Sequence, residues 1–129
     1  MKIFVSAYKN DMESEVCPTF GRAPLFLVVE LEDGNVNKVT EVKNTNTNVA
    51  RGAGISTAQL VVNGGCKVLI TGNVGPNAFS MLDESGVKIF RAFGMKIKDA
   101  IKSHMENGLD EITSAGGNEG RGRFRRGYK

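Results

Sequence analysis

Cys17 is a soft sulfur donor of the kind that suits iron or an iron-sulfur cluster. It lies in the turn EVCPTFGRAP, residues 15–24, whose Arg22 can pair with an anionic ligand through its planar fork. One cysteine does not make a metal site. Pro18, Phe20, Gly21 and Pro24 equally suit a turn that only steers the chain into the apolar run after it, with Phe20 as a core plug. Both readings stand at this level.

Two further stretches carry chemistry in their backbone. In VLITGNVGPNAFSML, residues 68–82, a strand pattern passes through Gly72, Asn73 and Gly75 into a helix that begins near Pro76 and Asn77. Glycines there let the backbone approach a ligand, and the unpaired N–H groups of a helix start attract negative charge. In ARGAGIS, Arg51, Gly52 and Gly54 precede another helix, which Ser56 can cap. Neither stretch is a Walker loop or a dinucleotide fingerprint. Two such entrances can converge on one cleft at the end of an α/β sheet, or they can be independent tight turns.

Catalytic constellations are harder to assemble. A two-metal nuclease gathers carboxylates at strand ends, yet KIFVSA, KVLITG and KIFRA contain no Asp or Glu. A nucleophilic serine or cysteine needs a base, and the single histidine, His104, falls near the end of the last helix pattern, where a surface position is expected. Cys17 and Cys66 lack the spacing of a zinc knuckle or a redox pair, so both are expected as reduced thiols. The expectation is a binding protein, not an enzyme.

The elements that must position these residues follow from periodicity. Lys2–Ala7 and the run after Pro24 read as buried strands. Residues 35–43 read as a third with one wet face, joined to the second through Asp33-Gly34, a pair suited to a two-residue hairpin turn. NTNTN, residues 44–48, reads as a polar loop. Helix patterns over residues 54–63 and from Pro76 alternate with strands at residues 66–71 and 87–92, and a last helix carries Ile97, Ile101 and Met105. The order β-β-β-α-β-α-β-α predicts a mixed sheet flanked by helices.

The formal charge is +3, and residues 113–129 account for more than all of it, with Arg121, Arg123, Arg125, Arg126 and Lys129 against Glu119. The rest of the chain is near neutral, which argues against a nucleic-acid face on the domain. A domain over residues 1–112 and a disordered Gly/Arg-rich tail over 113–129 are expected. Phe124 and Tyr128 among those arginines allow weak RNA binding by the tail as an alternative function; a nucleotide- or anion-binding regulatory domain is another. No apolar run approaches the ~20 residues of a membrane helix, and no signal peptide is evident at the N-terminus, so a cytoplasmic location is expected.

The segments TFGRAPLFLVVELEDG and GAGISTAQLVVNGGCKVLITGNVGPNAFSMLDESGVKIF, with their spacing, resemble the dinitrogenase iron-molybdenum cofactor biosynthesis family over roughly residues 1–112. The resemblance implies a ribonuclease-H-like α/β fold without nuclease carboxylates. It also implies binding or carriage of an iron-sulfur or iron-molybdenum cluster precursor, with metallocofactor assembly proteins as partners. Thr19-Phe20-Gly21 stands where that family has His-Phe-Gly. Thr19 thus replaces the histidine, and Cys17 is left as the candidate metal ligand in its stead.

Overall fold

The computed structural model describes residues 1–46 and 52–114. β1 (Lys2–Ala7), β2 (Leu25–Glu32) and β3 (Asn35–Lys43) form an antiparallel meander. Then come α1 (Ala53–Asn63), β4 (Val68–Thr71), α2 (Pro76–Glu84), β5 (Lys88–Arg91), α3 (Ile97–Met105) and β6 (Asp110–Glu111). The strands make one mixed sheet in the order β3-β2-β1-β4-β5-β6, in which β4 runs parallel to both β1 and β5.

Alternation along the strands builds two cores. Phe4, Phe26, Val28, Leu69 and Ile89 face α1 and α2, meeting Ala58, Val61, Ala78 and Leu82. Ile3, Val5, Leu27, Val29, Val68 and Ile70 face the other way, toward Ile97, Ala100 and Ile101 of α3. Strands β1 and β4 are thus apolar on both faces, as parallel strands between helix layers must be. The hairpin closes through Asp33 and Gly34, both at positive φ (54° and 78°), the conformation that matches strand twist.

Three features depart from the sequence-based expectation. β6 was not anticipated: two exposed residues carry no periodicity, and β5 supplies the ladder that makes them a strand, Ile112 N donating to Ile89 O at 2.7 Å. β3 is wet on more than one face, with Val36 and Val39 exposed, because it is the sheet's edge. His104 is half-buried rather than a surface residue; its ring stands edge-on to Phe90 at 4.7 Å, and burial lowers its pKa. Among the described residues no helix is long and apolar enough to cross a membrane. Arg51 and the Gly/Arg-rich segment beyond Ser114 lie outside the described residues.

Candidate functional site

The carboxyl ends of β1, β4 and β5 lie side by side; the loop that leaves β1 carries Cys17, Thr19 and Arg22, the one that leaves β4 carries Gly72, Asn73, Gly75 and Asn77, and Gly52 and Gly54 enter α1 after β3. The opening turn crosses this edge. It is stitched down by bridges of Val16 to Ala7, Glu15 to Lys96 and Thr19 to Asn73. Asn73 N donates to Pro18 O at 2.7 Å, and Phe20 N donates to Asn73 O at 3.3 Å. The contact is so close that a Cβ on Gly72 would stand 2.2 Å from Pro18 O, so Gly72 is required by approach to the turn rather than to a ligand.

Asn44 holds the other side of the turn. It is buried; its Nδ2 donates to Ala23 O (2.9 Å) and Gly21 O (3.3 Å), while its Oδ1 accepts from Thr57 Oγ1 (3.3 Å). Thr57 is fully buried on α1, so turn, helix and sheet end share one polar knot. Neither residue is singled out by the sequence, because an alternating run of Asn and Thr gives no sign that Asn44 goes inside. Gly21 completes the packing: a Cβ there would lie 3.1 Å from Gly54 N.

Above this floor the two helix entrances do converge. Gly52, Gly54, Ile55, Gly75, Pro76, Asn77 and Ala78 line one open pocket of about 200 Å³. The helices can approach because the Gly54 position would place a Cβ only 3.4 Å from the Ala78 Cβ. Neither α1 nor α2 has a side-chain cap bond or an acidic residue in its first turn. Ser56 does not cap α1; its backbone N–H donates to Gly52 O at 2.9 Å, and Gly52 at φ 74° is the N-cap. The first-turn N–H groups of both helices therefore present partial positive charge to one small space.

The side-chain candidates are placed differently. Cys17 is 2% exposed; its Sγ lies 3.6 Å from both Thr19 O and Thr19 Oγ1, and it is not among the pocket-lining residues. Its backbone is held by Ser6: Cys17 N donates to Ser6 O (2.8 Å) and Ser6 Oγ donates to Cys17 O (2.6 Å). Repulsion from negative charge on the Cys17 sulfur raises the pKa of the exposed Tyr8 phenol, with smaller contributions from desolvation and Glu15. Thr19, Arg22 and Asn73 are exposed and, like Cys17, stand outside the pocket lining. Cys66 is farther off in the core, where burial pushes its thiol up to about 12.

Arg91, read from sequence only as part of a strand, stands at the same edge. Its Nε donates to Gly72 O at 3.2 Å, and its guanidinium carbon lies 5.8 Å from the centre of the Phe93 ring. Among the described residues, no three His, Cys, Asp or Glu side chains gather where they could hold a metal ion.

The sequence profile for the dinitrogenase iron-molybdenum cofactor family matches residues 1–107. The chain belongs to this family. It is 32% identical over 99 residues to an uncharacterized protein of Methanocaldococcus jannaschii, covering 77% of this chain and 84% of that one. Among solved structures, it resembles the apo form of the orange protein from Desulfovibrio gigas with a TM-score of 0.81 and 30% identity, over 88% of this chain and 93% of that one. A putative NifB protein from Thermotoga gives 0.76 and 34%, over 92% and 98%. Within this dinitrogenase cofactor family member, the opening turn, both glycine entrances and Arg91 all fall inside the matched residues.

Proposed function

We propose that this protein binds and carries an anionic iron-sulfur or iron-molybdenum cluster precursor for metallocofactor assembly, without catalysing a reaction on it. The observation that carries this reading is the convergence of two helix entrances, uncapped by any side chain, on one open pocket in a chain of this family. Backbone N–H groups suit the sulfide or oxide face of such a cargo. Among the described residues no three metal-ligating side chains gather, so on this reading the backbone N–H groups carry most of the contact and a single side-chain ligand adds to it. Gly52, Gly54, Gly75 and Asn77 form the contact surface. Gly72 and Asn73 set the floor, and Arg22 or Arg51 is the candidate to neutralise the charge of the cargo.

Cys17 is the candidate metal ligand, replacing with Thr19 the histidine that the family resemblance implies. Because it is buried, ligation requires the opening turn to lift. Partners on this reading are the proteins that donate and receive the cargo. A ribonuclease-H-like fold is part of the same proposal, supported by the order β3-β2-β1-β4-β5 with β2 alone antiparallel to the rest.

Anaerobic reconstitution of wild type and Cys17→Ser with iron, sulfide and molybdate tests the reading through absorbance and bound metal per chain. Uptake near one cargo per chain is expected. Loss of uptake in Cys17→Ser makes the cysteine a ligand, whereas retained uptake assigns the cargo to the backbone pocket alone. No uptake by wild type at micromolar concentration sinks the proposal. The nucleotide alternative rests on the same pocket and is told apart by thermal stabilisation with nucleotides and indifference to Cys17→Ser.

A further inference from the structure

Arg91 is half-buried at the carboxyl end of β5. Asp110 sits directly opposite it in the β5–β6 ladder, a position from which a cross-strand ion pair is within reach. That pair does not form; among the described residues Arg91 makes no ion pair at all. Instead the side chain turns toward the sheet's carboxyl edge. There its Nε donates to the Gly72 carbonyl at 3.2 Å and its guanidinium stands over Phe93 at 5.8 Å. One donor and one π-face fix its position, and they leave the positive charge without a carboxylate partner.

We infer that Arg91 is an anion-contacting side chain of this edge, positioned by Gly72 and Phe93 to receive a multivalent oxo- or thio-anion. The inference rests on the cluster-carriage reading for the identity of the cargo, and on geometry alone for the charge. An arginine suits this role better than a lysine, because Nε can hold a carbonyl while the remaining N–H groups face an anion in a fixed fork.

The test uses the full chain and two probes. Binding of molybdate alone, read by equilibrium dialysis at several salt concentrations, reports the anion contact; anaerobic loading with iron, sulfide and molybdate reports cargo uptake. Arg91→Gln is expected to weaken molybdate binding about tenfold or more and to flatten its salt dependence. Arg91→Lys keeps the salt dependence but recovers only part of the affinity; a residue needed only for packing would show neither pattern. Equal molybdate affinity in wild type and both variants overturns the inference even when clusters load normally, and so does failure of wild type to bind molybdate at millimolar concentration. Arg91-dependent molybdate binding without cluster uptake upholds the anion contact and overturns only the carriage reading.

Discussion

Gly72 and Gly75 lie in the same short loop and serve opposite ends. At Gly72 a side chain would collide with Pro18 O at 2.2 Å, whereas at Gly75 a Cβ would meet nothing within 4 Å. The first belongs to a packed floor made of the opening turn, Asn44 and the end of β4. The second belongs to an open rim made of the entrances to α1 and α2. Glycine is needed on the floor so that two backbones can touch; on the rim it leaves space that the protein itself does not fill. A pattern of glycines therefore marks close approach without saying whether the partner is the chain or a ligand.

The sharpest break of this comparison is Gly72→Ala. The methyl group must push the turn away from β4, a loss of about 3 kcal/mol, read by urea unfolding. A change within about 0.5 kcal/mol would mean that the floor is not packed as described. Asn44→Ala comes next, because it takes the side-chain donor from the buried Ala23 carbonyl and leaves Gly21 O with Thr57 Oγ1 alone. We expect about 2 kcal/mol by the same measurement, and a Thr57→Val change that costs less.

The core behind the floor adds a pH effect. Cys66 has its thiol raised by burial from an ordinary 9.0 to about 12, so the folded state keeps a proton that the unfolded state releases. Its contribution is fully present below pH 9 and is lost as pH rises toward 12, about 1 kcal/mol by pH 10. Cys66→Ala should remove that slope in denaturation curves taken from pH 8 to 10.5, and an unchanged slope would contradict the burial.

On the rim the stability effect is smallest and reversed. Gly75→Asp places a carboxylate at the N-cap of α2, where it should stabilise the fold by about 0.5 kcal/mol. The same charge faces the pocket, so uptake of an anionic cargo should fall sharply. A variant that melts higher and loads equally well would separate the rim from binding.

Much of the scaffold was legible in the sequence. The Asp33-Gly34 hairpin, the strands buried on both faces and the glycine entrances to α1 and α2 all express local rules, since turn conformation and apolar spacing are properties of neighbouring residues. β6 was not legible because a neighbour's ladder creates it. Arg91 was not, because a strand arginine looks the same whether it pairs with Asp110 or turns to Gly72. The opening turn remained ambiguous for a similar reason: CPTFGRAP offers a soft donor and a steering turn at once, and only packing buries Cys17 under Thr19.

By itself, the sequence determined the element order, the two glycine entrances and the lack of carboxylates on the central strands. Tertiary structure alone decided that both entrances open on one pocket, that Gly72 is sealed while Gly75 is open, and that Asn44 is drawn inside. Each of these depends on contacts between segments far apart along the chain, such as Pro18 with Asn73, Asn44 with Thr57 and Gly54 with Ala78. Local propensity carries no information about such approaches, because they are set by how the helices settle on the sheet.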